Sequence, residues 1–350
     1  MNRRGFLAAA AAAAMLSAMP TPPAHPAPAR RPRLGSLLPH PLRAGDTVAL
    51  LSPSSPVEDS LALQLAREAL EALGLRVALG AHAGARRGYL AGDDAARAAD
   101  LNAAFADPAI RGIVCVRGGY GAMRLLPRLD YAAVRRDPKP VLGYSDITAL
   151  LCGLAAQTGL VGFHGPVAAG SWPAFNAAQF RQLLLERALP EYANPQERGD
   201  DLVVRQNRTV TITGGRARGP LVGGNLAVLA ALVGTPYLPE FDGAILFLED
   251  VGEAPYRIDR MFATLRLAGL LDRVAGVVFG QCTDCKPGDG YGSLTLEQIL
   301  DDYVRPLGIP AYRGAQIGHL REQFIVPVGG QVELDADAGR FRLLDPVFQG

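Results

Sequence analysis

Along the first half of the chain, short apolar runs alternate with stretches whose apolar residues recur at helical spacing. Residues 46–52 (DTVALLS) predict a strand that stops at Ser52-Pro53-Ser54-Ser55-Pro56, a loop signal. Residues 61–73 predict a helix closed by Gly74, and residues 75–78 return to a strand-like run. A helix over 95–106 precedes a buried strand over 112–116 (GIVCV), which ends at Arg117-Gly118-Gly119-Tyr120-Gly121. A short helix is expected over 122–126, a strand over 140–143 and a helix over 147–157. Strands alternating with helices imply an α/β fold built on a parallel, doubly wound sheet. In such sheets ligands sit at the carboxyl ends of the strands.

The pattern weakens around residues 173–215, which carry Asn176, Asn194, Pro195, Gly199, Gly214 and Gly215. It restarts where Gly223-Gly224-Asn225 opens a helix running to Leu232. Strands are then expected over 244–248 (AILFL) and 275–279 (AGVVF), a helix over 257–268, and short glycine-punctuated strands over 325–344. No internal repeat is present. At 350 residues the chain exceeds the usual size of one compact domain. We therefore expect an N-terminal domain over 40–175, a linker over 176–213 and a C-terminal domain over 214–350.

The first residues read as an address. Arg3 and Arg4 precede an apolar stretch over 5–19, followed by a proline- and alanine-rich segment over 20–32. This is the layout of a secretory signal over residues 1–29, and Arg-Arg-x-Phe-Leu resembles a twin-arginine export signal. Cleavage after Ala18 or after Ala29 fits equally well. The expected location is the periplasm or the exterior, with no lipid anchor, since no cysteine follows the apolar stretch.

Composition narrows the function classes. Hydrophobic residues make up 49% and charged residues 20%, which excludes a disordered chain. No apolar run reaches the ~20 residues of a membrane span, so stable membrane insertion is not expected. The formal charge is +1, from 35 Lys+Arg against 34 Asp+Glu, which argues against a nucleic-acid binder with a broad basic face. Four cysteines exclude a disulfide scaffold. Cys282-Thr283-Asp284-Cys285 is a single C-x-x-C without the second pair a structural zinc needs, so free thiols or a structural pair rank above metal binding and catalysis. Cys115 and Cys152 lie in apolar elements and read as core.

The sharpest local signal is Gly143-Tyr144-Ser145-Asp146 between an apolar strand and a helix. A serine on such a turn is held at the sheet edge, and the next amide lies at a helix N-terminus, where unpaired N–H groups favour negative charge. Those are the needs of a nucleophile and an oxyanion donor; a plain helix cap uses the same residues. Gly118-Gly119-Tyr120-Gly121 allows close backbone approach to a ligand and could supply a second amide, or form only a tight turn. Arg117 beside it suits either a substrate carboxylate or a surface ion pair. Of five histidines, His25 and His40 lie in or at the exit of the signal and His82 in a loop. His164 and His319 both follow strand-like stretches, and spacing does not choose between them as a base. Glu249, Asp250 and Glu253 follow the strand over 244–248 and offer an acid to orient an imidazole.

Taken together, these stretches resemble the LD-carboxypeptidase family of serine peptidases, which also contains microcin C self-immunity peptidases. The resemblance covers roughly residues 43–345. Its motifs are Arg117 to Gly121, Gly143 to Asp146, His164-Gly165-Pro166, Gly223 to Leu226 with Gly234-Thr235-Pro236, Leu248-Glu249-Asp250 with Tyr256 to Arg260, and Gly318-His319. It implies an N-terminal α/β domain, a C-terminal mixed α/β domain and an active site at their interface, with no metal and no cofactor. By motif, Ser145 is implied as nucleophile, Glu249 as orienting acid and His319 as base. Asp146 and Gly119 are implied as oxyanion amides, and His164 as structural or supporting. We add Arg117 and Tyr120 as candidate substrate-binding residues. After His319 the sequence Leu320 to Pro327 departs from the family's usual polar stretch, and an export signal departs from its common cytoplasmic location.

The implied reaction is acyl transfer at an L-to-D peptide bond of a small peptide, a murein tetrapeptide, with release of terminal D-alanine. Detoxification of a peptidyl-nucleotide antibiotic is the alternative within the same chemistry, and a non-catalytic periplasmic muropeptide-binding protein is the alternative outside it. The sequence leaves a homodimer open, as it does whether Trp172 lines a cleft or a core.

Overall fold

The computed structural model describes residues 32–196, 200–286 and 292–350. The export segment read over residues 1–29, with His25, lies outside the described residues. No helix among the described residues is long and apolar enough to cross a membrane.

The first half builds β1 (Thr47–Leu51), α1 (Ser60–Ala72), β2 (Arg76–Leu79), α2 (Asp94–Ala106), β3 (Ile110–Cys115), α3 (Tyr131–Arg136), β4 (Val141–Gly143), α4 (Ile147–Thr158) and β5 (Gly162–His164). These five strands are parallel, in the order β2-β1-β3-β4-β5. The order reverses between β1 and β3, so the loops leaving β1, β3 and β4 diverge around one crevice at the strands' carboxyl ends. Short acidic residues start the helices: Asp59, Asp93 and Asp130 accept from the amides of Ala62, Ala96 and Ala133. The helix expected over 122–126 is instead a 3-10 turn, Ala122–Arg128, because Pro127 within it has no N–H to continue an α-helical ladder.

The second half builds α5 (Ala174–Phe180), β6 (Glu191–Ala193), β7 (Val210–Thr213), β8 (Arg216–Asn225), α6 (Leu226–Ala231), β9 (Ile245–Val251), α7 (Pro255–Leu267), β10 (Gly276–Thr283), α8 (Leu296–Tyr303), β11 (Ala311–Arg313), β12 (Val326–Val328), β13 (Gln331–Asp335) and β14 (Arg340–Leu343). An eight-stranded mixed sheet runs β6-β14-β13-β8-β9-β10-β11-β7. Strand β8 joins its two characters: Arg216 to Pro220 pair antiparallel with β13, and Leu221 to Asn225 pair parallel with β9. Both edges of this sheet, β6 and β7, come from the 176–213 stretch expected as a linker. They are three- and four-residue edge strands with exposed positions, too short and too polar to show an apolar period. Strand β12 leaves the second half altogether and pairs antiparallel with β5, closing the edge of the first sheet.

Helix α4 lies between the two sheets. Its sequence ITALLCGLAAQT is apolar on every side, and Ile147 to Ala156 are all buried, as expected of a helix with no solvent face. It contacts the 3-10 turn, α6, β8 and β12. Thr148 Oγ1 accepts from the Asn225 amide at 3.0 Å, fastening β8 to the first turn of α4. The N-terminus of α4, with Ser145 and Asp146, is thereby held at the seam of the two sheets. Trp172 belongs to a core wall: its indole donates to the Ala168 carbonyl and packs edge-on against Phe180.

Candidate active site

Ser145 occupies the turn from β4 into α4 with φ +63, a left-handed conformation that a non-glycine residue adopts at a cost of ~1–3 kcal/mol. The surrounding hydrogen bonds hold it there. Ile147 N donates to Tyr144 O at 3.2 Å and Thr148 N to Ser145 O at 2.9 Å. The Asp146 side chain does not cap α4, the simpler use of that residue type. Its Oδ2 accepts instead from Ser54 Oγ (2.6 Å) and from the Ala122 amide (2.8 Å), tying the loops after β1 and β3 to the serine turn. Burial raises the Asp146 carboxyl above the ordinary range, against the pull of the Ser54 bond.

Arg97 completes this bracing, and no local sequence signal marks it. Placed on α2 and 2% exposed, its guanidinium donates to the Pro53 carbonyl, to Gly121 O at 3.0 Å and to Asp94 Oδ1 at 2.6 Å. One buried cation thus joins the loops after β1 and β3 from below. Gly118 then meets the serine directly. A Cβ built on it would stand 2.9 Å from Ser145 Cβ and 3.2 Å from Ser145 Oγ, so only glycine allows this approach. Among the described residues, the amides of Asp146 and Gly119 donate to no protein acceptor, which leaves two N–H groups at the mouth of the turn.

The second sheet supplies the other wall. Glu249, in β9, is fully buried, and its Oε2 lies 2.8 Å from His319 Nδ1. His319 follows Gly318, whose φ of +125 and missing side chain let the loop lie against the glutamate: a Cβ there would be 3.0 Å from Glu249 Cβ. Thr283 Oγ1 donates to the His319 carbonyl at 3.1 Å, fixing the loop to the end of β10. Burial alone would push the Glu249 carboxyl up; His164 and His319 outweigh it and hold the group at about 2. Asp250 points away along the strand's alternation. It accepts from Asn225 Nδ2 and from the Ala227 and Val251 amides, and burial lifts it to about 6.

A cleft of about 760 Å³ lies between the walls, lined by Arg117, Gly118, Gly119, Tyr144, Ser145 and His319 on its chemical side and by α1 on the other. The Tyr144 ring stands 4.8 Å from the imidazole of His319. No hydrogen bond joins Ser145 Oγ to His319; such contacts commonly tighten only with substrate in place. Arg117 donates to Pro56 O at 3.1 Å and meets no acidic partner among the described residues. Tyr120 is not brought to the cleft. It is 71% exposed and packs edge-on against Tyr89. His82 is bound to Asp100 and His40 to Asp137, away from the site. Cys282 and Cys285 form a disulfide behind the His319 loop, while Cys115 and Cys152 are buried and free.

Residues 48–165 match the model of the LD-carboxypeptidase N-terminal domain, and residues 218–334 that of the LD-carboxypeptidase C-terminal domain. The chain belongs to the LD-carboxypeptidase family. A probable murein peptide carboxypeptidase of Bacillus subtilis (strain 168) is 37% identical over 302 residues, spanning 85% of this chain and 91% of the relative. The murein tetrapeptide carboxypeptidase of Pseudomonas aeruginosa is 33% identical over 310 residues, 84% and 94% of the two chains. The structure of MccF in complex with glutamyl sulfamoyl guanosine superposes with a TM-score of 0.81 at 27% identity, covering 89% of this chain and all of the other. This LD-carboxypeptidase family member is accordingly a peptidase with the two-domain α/β fold of its relatives. The close approach of Gly118 to Ser145 yields a direct expectation. Gly118→Ala should reduce peptidase kcat/KM about 100-fold by pushing the Ser145 hydroxyl aside, as a displacement near 1 Å does elsewhere. Parallel melting curves and turnover measurements check this; unchanged turnover in a folded variant would refute it.

Proposed function

We propose that this chain is a serine carboxypeptidase that hydrolyses an L-to-D peptide bond and releases the terminal D-alanine of murein tetrapeptides through an acyl-enzyme. One observation carries the proposal: a serine in strained geometry shares a cleft with a histidine whose other ring nitrogen is bonded to a buried carboxylate. With Nδ1–H donating to Glu249, His319 presents Nε2 as an acceptor. It takes the Ser145 proton as the hydroxyl oxygen attacks the scissile carbonyl carbon. The tetrahedral oxyanion is received by the Asp146 and Gly119 amides, each such donor contributing ~3 kcal/mol to the transition state. His319 then protonates the leaving D-amino acid, and water hydrolyses the Ser145 ester. Arg117, in the cleft wall and without an acidic partner among the described residues, is the group we assign to the substrate's terminal carboxylate.

The murein substrate is supported by the names of the Bacillus and Pseudomonas relatives, and work outside the cytoplasm by the export signal read over residues 1–29. The likeness to MccF keeps an aminoacyl-sulfamoyl nucleoside as a second substrate class. Incubation of the purified enzyme with a defined murein tetrapeptide should yield tripeptide and free D-alanine by mass spectrometry. Cleavage of an aminoacyl-sulfamoyl nucleoside with an intact tetrapeptide would move the assignment to detoxification. Tight tetrapeptide binding without turnover would make the protein a binding module.

A further inference from the structure

We propose that His164 is a positioning residue of the same site: a neutral imidazole whose Nε2–H donates to Glu249 Oε1 and so holds the carboxylate with its other oxygen toward His319. The assignment rests on the Ser145–His319–Glu249 proposal above and extends it by one residue.

Three features of the structure lead there. The first is place. His164 ends β5, in register with Gly143 of β4 on one side and Val326 of β12 on the other, two residues of chain from Ser145 on the neighbouring strand. The second is the poverty of its surroundings. His164 and Glu249 are both fully buried, and the imidazole is flanked edge-to-face by Phe247 at 5.2 Å and Tyr144 at 6.1 Å. Among the described residues, neither ring nitrogen has a hydrogen-bond partner, and Glu249 Oε1 has none either. The third is the approach between them: His164 Nε2 lies 3.7 Å from Glu249 Oε1, while Glu249 Oε2 is already taken by His319. A buried carboxylate oxygen left without a donor is costly, and His164 is the histidine facing it. A small rotation of either side chain closes the gap.

The proton belongs on Nε2, where the acceptor is. Nδ1 has no acceptor, so an imidazolium would bury a second N–H without a partner. A neutral donor steadies the carboxylate without placing a second positive charge beside it, so the charge of Glu249 serves the imidazolium that forms on His319 during acyl transfer. A carboxylate held at both oxygens cannot rotate. His319 is then kept in the tautomer with Nε2 free to accept the serine proton.

His164→Phe, His164→Gln and Ser145→Ala test the assignment on tetrapeptide turnover, with melting curves beside each. The phenylalanine variant should lose kcat about 10- to 100-fold at nearly constant KM, the scale seen when a hydrogen-bond partner one shell out from the chemistry is removed. The glutamine variant, which keeps an N–H donor near the position of Nε2, should recover most of that loss. Wild-type kcat in His164→Phe, or equal losses in the phenylalanine and glutamine variants at equal melting temperature, would overturn the assignment. Nitrogen-15 NMR of the wild-type protein gives a reading independent of how the variants fold. His164 should show the Nε2–H tautomer at neutral pH, and an Nδ1–H tautomer or an imidazolium would refute it. Turnover surviving in Ser145→Ala would instead remove the serine-peptidase proposal itself, a distinct outcome.

Discussion

Ser145→Ala is expected to abolish measurable turnover, lowering kcat by about 10⁴- to 10⁶-fold while leaving tetrapeptide binding within a few fold. In the proposed mechanism, removing the nucleophile that forms the acyl-enzyme deletes the reaction path itself, whereas the backbone amides and Arg117 assigned to the substrate are left in place. The fold should tolerate the change, because alanine meets the same steric cost as serine at φ +63 and the turn is held by backbone bonds and by the Asp146 side chain. A serine-reactive phosphonate should label the wild-type protein at Ser145 and not the variant. Undiminished D-alanine release by Ser145→Ala would dismiss the acyl-enzyme route.

The second large effect is expected of Glu249→Gln, a loss of about 10³- to 10⁴-fold in kcat with little change in KM. The amide is isosteric, but it carries no charge to stabilise an imidazolium, and its NH₂ can turn toward His319 Nδ1 and invert the tautomer. The carboxyl of Glu249 sits at about 2, so it stays ionised wherever histidines titrate. The acid limb of the wild-type kcat/KM profile should therefore report an imidazole and not this carboxylate. Stability provides an independent check. A carboxyl depressed below its unfolded value near ~4.3 stabilises the fold above that pH, and the contribution fades as pH falls toward 2. The melting-temperature gap between wild type and Glu249→Gln should thus be widest near neutrality and narrow in acid. Activity within tenfold of wild type would hand the acid's role to another carboxylate, with Glu253, half-buried and 3.5 Å from Arg257, the next to test.

The proposed machinery is drawn from both sheets but anchored by few groups. Arg97 and the Asp146 side chain fix the loops after β1, β3 and β4 into one unit. Thr283 and Gly318 place the His319 loop on the buried glutamate. The seam between the units runs through the Asn225–Thr148 hydrogen bond.

What could be read from the sequence was local. The apolar run over 140–143 and the all-round apolar helix behind it put Ser145 on a strand-to-helix turn, because strand and helix periods are properties of a few neighbouring residues. The same holds for the alternation of β1, β2 and β3 with helices, and hence for the doubly wound sheet. The resemblance to a family added an order of motifs, but the choice between His164 and His319 stayed beyond spacing. Only the tertiary structure brings Glu249 between the two rings, 2.8 Å from one and 3.7 Å from the other. Arg97 shows the limit most sharply. Nothing in its helix segment Asp94-Ala-Ala-Arg97-Ala-Ala-Asp100 marks it, yet it is buried because two distant loops offer carbonyls to one point. The crossing of β12 to the first sheet and the use of 176–213 for edge strands were hidden for a related reason. Edge pairing is set by backbone groups of strands far apart in the chain, and those groups are the same at every residue except proline. Periodicity records which face a segment buries; which partner covers that face is decided by packing across the whole molecule.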